Sequence, residues 1–126
     1  MNWFVLIAGL CAAFVVMGHF VIGGKQYLKP MLAAAFDDVP KKIMHCVFHY
    51  VSVYLILSAI ALLMIGSGIG LRGDTTLLTR FIALNYGAFA VWQIVLAAGS
   101  NIPNGVFELF QWTFFALIAI FAWIGA

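Results

Sequence analysis

The chain has 126 residues, of which 66% are hydrophobic and 8% charged, at a mean hydropathy of +1.14. A soluble domain would be about a quarter charged, so the composition excludes an ordinary soluble fold and points to a single membrane domain, 1–126. The net charge of +2 is too small, and too confined to one connector, to serve a nucleic acid.

Four apolar runs carry the hydrophobic excess, and each reaches the roughly 20 residues that a helix needs to cross the hydrocarbon. The first is Trp3–Gly23. No Lys or Arg precedes it and it is longer than a signal-peptide core, so it reads as a transmembrane helix. Gly23-Gly24 is expected to stop it, and Pro30 to open a short interfacial helix over Met31–Phe36. The long first connector, 24–42, then ends at Asp37-Asp38 and Pro40, an acidic cap with proline in the first turn. The remaining spans are expected at about 43–65, 77–98 and 106–124, joined by connectors at 66–76 and 99–105. Short links favour antiparallel neighbours, hence an all-α integral-membrane four-helix up-down bundle. Cys11 and Cys46 both fall inside spans, which argues against a disulfide framework.

Charge sets the expected orientation. Lys25, Lys29, Lys41 and Lys42 flank the first connector, against Arg72 and Arg80 on the opposite side. The expectation is a multi-pass inner-membrane protein with a cytoplasmic first connector and both termini outside.

This topology gathers residues that are distant in sequence. Helices one and three end, and helices two and four begin, on the first-connector side. At 1.5 Å per residue, His19 lies about 6 Å inside that face, His45 and His49 about 3 and 9 Å, Gln93 about 7–8 Å and Glu108 about 3 Å. All three histidines and the one glutamate of the chain therefore share a layer. Ionisable groups inside a span mark a functional site by default.

The donor set suits a borderline metal such as zinc, copper or iron, with His19, His45, His49 and Glu108 as ligands and Gln93 as a hydrogen-bonding neighbour. The alternative is non-covalent haem b, held by His19 on one side and His45 or His49 on the other. Ordinary hydrogen-bonded packing is the third reading, in a non-catalytic accessory or scaffold subunit. A small-molecule carrier is the fourth, favoured by a cavity reaching the layer and disfavoured by solid packing. The lipid bilayer is one partner; further copies or a larger membrane complex are candidates.

Other signals carry less. Gly68-Ile69-Gly70-Leu71-Arg72-Gly73 matches G-x-G-x-x-G, but no strand or dinucleotide-binding unit surrounds it. Gly9 with Ala13, and Ala83 with Gly87, have the spacing that lets helices approach closely. Ser52, Ser58 and Asn85 are polar within spans and are expected to bond across helices. Trp3, Tyr27, Trp112 and Trp123 read as interface anchors or packing residues. Trp92 and Tyr86 read as packing rather than cavity lining. Nothing forms a hydrolase triad, and Glu108 lies too near the surface for a proton-coupled exporter.

Gly18-His19-Phe20-Val21-Ile22-Gly23, then Leu28-Lys29-Pro30-Met31-Leu32 and His45-x-x-x-His49, resemble a pattern of small four-span bacterial inner-membrane proteins. The likeness covers the first half of the chain and implies location, not activity. In architecture alone the chain is also similar, more distantly, to the DoxX-like four-helix group.

Overall fold

The computed structural model of the chain describes residues 1–69 and 73–126, and every regular element among them is helical. In chain order these are α1 (Trp3–Gly18), a π-helical segment (His19–Leu28), α2 (Lys29–Ala33), α3 (Asp38–Ser67), α4 (Thr76–Ala98), α5 (Gly105–Glu108) and α6 (Trp112–Ile124). The first three form one continuous rod, Trp3–Ala33. That rod, α3 and α4 are each long and apolar enough to cross a membrane, and α6 is a shorter apolar helix. These helices fit a membrane protein.

The structure corrects the expected first connector. Gly23-Gly24 does not stop the helix; the backbone changes pitch at His19, runs through both glycines and continues to Ala33. The N–H of Lys29 bonds the Gly24 carbonyl five residues back. Pro30 comes next and has no N–H to give, so the return to α-helix falls where the following π bond could not form. The link to α3 shrinks to 34–37. Asp38 and Pro40 do sit in the first turn of α3, as expected, although Asp37 caps only through its backbone. At its far end, α3 closes on Gly68 at φ 75°. The Ile69 and Gly68 N–H groups return to the Met64 and Ile65 carbonyls, and the left-handed conformation suits glycine. The middle of the second connector, 70–72, lies outside the described residues, and with it half of the glycine motif, Arg72 included. Beyond it, the Asp74 carboxylate accepts from the Thr76 N–H at 2.9 Å and caps α4. Hydrogen bonding from the Thr76 side chain, and then from its backbone N–H, holds the Asp74 pKa below the usual carboxylate range, so the cap is present at neutral pH and fades as pH falls through the folded-state pKa.

The fourth span is also corrected. It breaks at 109–111, where Leu109 leaves helical geometry at φ −96°, ψ 57°. Two side chains take over from the lost ladder: Trp112 Nε1 donates to the Val106 carbonyl at 2.9 Å, and Gln93 Nε2 to the Leu109 carbonyl at 3.2 Å. Backbone groups with no water nearby need such partners.

The rods pack antiparallel, α3 and α6 on either side of α1, and α4 on α6. One end is drawn tight by small residues. A Cβ at Gly66 would collide with the backbone of Leu6, and one at Gly9 would lie 2.8 Å from the Leu63 nitrogen. Asn2 ties the same end: its backbone N–H bonds the Gly66 carbonyl at 2.8 Å and its side-chain amide the Gly125 carbonyl at 2.6 Å. In the middle, α3 and α4 meet mainly through long side chains. Ser58 Oγ lies 2.8 Å from the Tyr86 hydroxyl, and Tyr54 sits edge-on to Phe89. Tyr86 is fully buried, as packing requires, and Ser52 and Ser58 bond across helices as expected. Asn85 instead bonds the Phe81 carbonyl of its own helix. Cys11 and Cys46 are both free thiols.

The tight end generates a paired prediction. Gly66→Ala must push α1 and α3 apart and is expected to destabilise the bundle by about 1–3 kcal/mol. Gly18→Ala, where a Cβ meets nothing within 4 Å, is expected to be neutral or mildly stabilising. Thermal unfolding of both variants in one detergent measures the difference.

Candidate functional site

Opposite the tight end the helices part around a cavity of about 330 Å³. Its walls are mainly aromatic and aliphatic, Phe14, Phe48, Phe110 and Phe114 among them, and its polar edge is His19, Tyr27, Gln93 and Gln111. Each backbone irregularity contributes. The π segment brings His19, Ile22, Gly23 and Tyr27 to one wall; the break before α6 brings Phe110 and Gln111 to another.

His19 is half-buried and fixed on two sides. Its ring stacks on Phe48 with centroids 4.1 Å apart and planes at 19°. Nε2 lies 2.8 Å from Ser52 Oγ, and the Ser52 hydroxyl donates to the Phe48 carbonyl at 2.9 Å. Across the cavity Gln93 Nε2 donates to Gln111 Oε1 at 2.6 Å, and Gln111 Nε2 to the Tyr27 hydroxyl at 3.3 Å. One amide chain thus joins α4, the break and the π segment.

The expected layer of five residues is assembled in part. His19 and Gln93 reach the same cavity. His45 and His49 do not line it, because the register between the first two rods differs from the expected one. With the first helix running on past Gly23, His19 stands level with Ser52, and Gly23 beside Phe48. His45 and His49 lie about 10.5 and 4.5 Å from Ser52 along α3, toward the 34–37 link. They pair with each other, Nε2 to Nε2 at 3.2 Å, with His49 exposed. Glu108 reaches the right depth but is exposed on α5, with its neighbour's carbonyl, not its carboxylate, engaging Gln93.

Among the described residues no three His, Cys, Asp or Glu side chains come together as a metal site, so His19, His45, His49 and Glu108 do not form the expected four-ligand set. Bis-histidine haem does not fit these residues either. Only His19 lines the cavity, its Nε2 is engaged by Ser52, and no second imidazole faces it.

Sequence reasoning missed Gln111 and gave Tyr27 only an anchoring role. Gln111 had a findable signal: it is a lone amide in an apolar run, three residues after Glu108, at the depth already singled out. The outer groove between α4 and α6, lined by Trp92, Gly87 and Trp123, is shallow and lacks a polar edge. No family model, curated protein or solved structure matches the chain.

Gln93 holds the break together, and its replacement tests that role. Gln93→Leu strands the Leu109 carbonyl and the Gln111 amide oxygen, at a cost of about 1–3 kcal/mol for each group left buried and unpaired. Hydrogen exchange is expected to quicken across 109–113 and to stay unchanged within α1. Unchanged exchange at the break would show that the amide is dispensable there.

Proposed function

We propose that the chain is a four-span inner-membrane protein that binds a small apolar molecule in the cavity between its first rod and its broken fourth helix. The observation that carries this is one coincidence of place. The cavity, the polar edge, the π segment and the helix break all lie at the same end of the bundle. Irregular backbone at membrane depth is tolerated where it is buried or lines a cavity, and discontinuous helices build the sites of many membrane carriers. Pockets for small molecules are mostly apolar with a few placed polar groups, which is the composition of this lining.

The placement in the membrane supports the reading. The rod Trp3–Ala33 has 31 residues and, even with the smaller rise of its π segment, is more than about 40 Å long, against a hydrocarbon core of about 30 Å. Its π-to-α2 end carries Lys25 and Lys29 and is the part that extends past the core. With Lys41 and Lys42 at the start of α3, that end lies on the cytoplasmic side. The cavity then sits just beneath the inner headgroups, reached sideways from lipid or from the cytoplasmic face. α5 and α6 together complete the fourth crossing.

Of the metal reading, one fragment keeps specific support. The two Nε2 atoms of His45 and His49, 3.2 Å apart, match the nitrogen edge of a tetrahedral zinc ion, about 3.3 Å at Zn–N distances near 2.05 Å. Histidines at i and i+4 on a helix can chelate in this way. Such an edge needs further ligands from water or another chain.

Two experiments separate these readings. Gly18 lines the cavity and has open space where its Cβ would stand, so Gly18→Phe is expected to fold and to fill the cavity. Mass spectrometry of gently purified protein is expected to find an apolar small molecule at stoichiometric level in the wild type and none in the variant. Equal recovery from both would end the cavity reading. For the histidine pair, elemental analysis after growth in metal-replete medium decides. Stoichiometric Zn, Cu or Fe that disappears in His49→Ala establishes a chelate; background metal in both proteins leaves a hydrogen-bonded pair.

A further inference from the structure

The hydrogen bonds of His19 fix more than its position. A serine hydroxyl has one hydrogen, and that of Ser52 goes to the Phe48 carbonyl. In the tautomer that leaves the Ser52 proton on the Phe48 carbonyl, Ser52 Oγ is the acceptor in its contact with His19 and the proton between them belongs to His19 Nε2. In the neutral ring the remaining nitrogen, Nδ1, is then a bare acceptor.

Nδ1 has no hydrogen-bond partner among the described residues, and it is not among their sealed, unsatisfied polar atoms. It lies beside Gly23, which also lines the cavity and offers no side chain to cover it. Phe48 stacks on the ring face and Phe20 meets it edge-on, so the imidazole cannot turn away. The cavity thus presents a fixed acceptor on an otherwise apolar wall.

We infer that the ligand is a hydroxyl-bearing apolar molecule, an alcohol or phenol, whose O–H donates to His19 Nδ1. This rests on the cavity reading and narrows it to one chemical class. A ligand with only acceptor groups would set its oxygen against the Nδ1 lone pair. A hydrocarbon would leave that nitrogen desolvated and unpaired, which costs affinity. On the same wall the Tyr27 hydroxyl accepts from Gln111 and keeps its own hydrogen free, a further polar group for the ligand.

The test uses the whole protein in detergent at pH 8, where an ordinary imidazole is neutral, with 2-naphthol and 2-methoxynaphthalene as probes. They share one ring system and differ in the hydroxyl hydrogen. After correction for partition into empty micelles, naphthol is expected to bind about tenfold or more tightly than its ether. In ¹⁵N-histidine-labelled protein, His19 is expected to show the Nε2–H tautomer, with an Nδ1 signal that moves on adding naphthol and not on adding the ether. His19→Phe is expected to bind both probes alike. Equal binding of the two probes to the wild type, or an Nδ1–H tautomer in the free protein, overturns the inference and leaves the cavity reading standing. Failure of both probes to bind overturns the inference, and if the purified wild type also carries no apolar ligand the cavity reading falls with it. The nitrogen signals come from the wild-type protein, so the result does not depend on the variant folding.

Discussion

The two main departures from ideal helix among the described residues answer one constraint: a backbone group shut away from water must find a partner within the protein. Where the first rod changes pitch, the ladder shifts to five-residue bonds and stays continuous up to Pro30. Where the fourth helix breaks, the Gln93 amide and the Trp112 indole reach the carbonyls that the ladder leaves free. The polar side chains of the cavity are thus part of the backbone's own accounting. Gln93 cannot be removed from the site without also disturbing the break that shapes it.

The packing explains why this cavity forms at the end away from Asn2. Near Asn2, Gly66 and Gly125 the rods touch almost backbone to backbone, because no Cβ intervenes at the closest points. From there toward His19, the contact residues grow to Tyr54, Tyr86, Phe89 and Phe115, then to Phe48, Phe110 and Phe114. Helices pinned at one end by glycine and held apart further along by aromatic rings must diverge. The irregular segments occur on the diverging side, where a straight helix would leave its backbone facing the gap.

Much of this was legible in the sequence, and what was not has identifiable causes. Hydropathy gave the apolar rods, and counting residues from their ends placed His19 and Gln93 at one depth, where both line the cavity. Counting gives depth only as well as the ends are known, and Gly23-Gly24 was a false end. The rod continues for ten more residues, so His19 meets Ser52 and the pair His45–His49 falls nearer the 34–37 link. Counting also gives no direction around the helix axis, which is why Glu108 sits at the right level and faces outward. The break at 109–111 left no composition signal, because Phe110 and Gln111 are both compatible with helix; tertiary bonds from α4 sustain it.

Magnitude bears on the proposed binding role. Were a space of 330 Å³ closed and empty, the usual cost of about 24 cal/mol per Å³ would bring it to roughly 8 kcal/mol, comparable to the whole net stability of a small domain. A subunit whose task was only to pack would be expected to collapse around such a gap, and the fold supplies the means, since Gly18 on its wall has room for a side chain. Instead the wall is kept open by glycine on one side and by a broken helix, with its supporting amides, on the other. On the proposed reading this local structure serves what fills the cavity, and a lipid tail would fill it without any use for an acceptor nitrogen at His19.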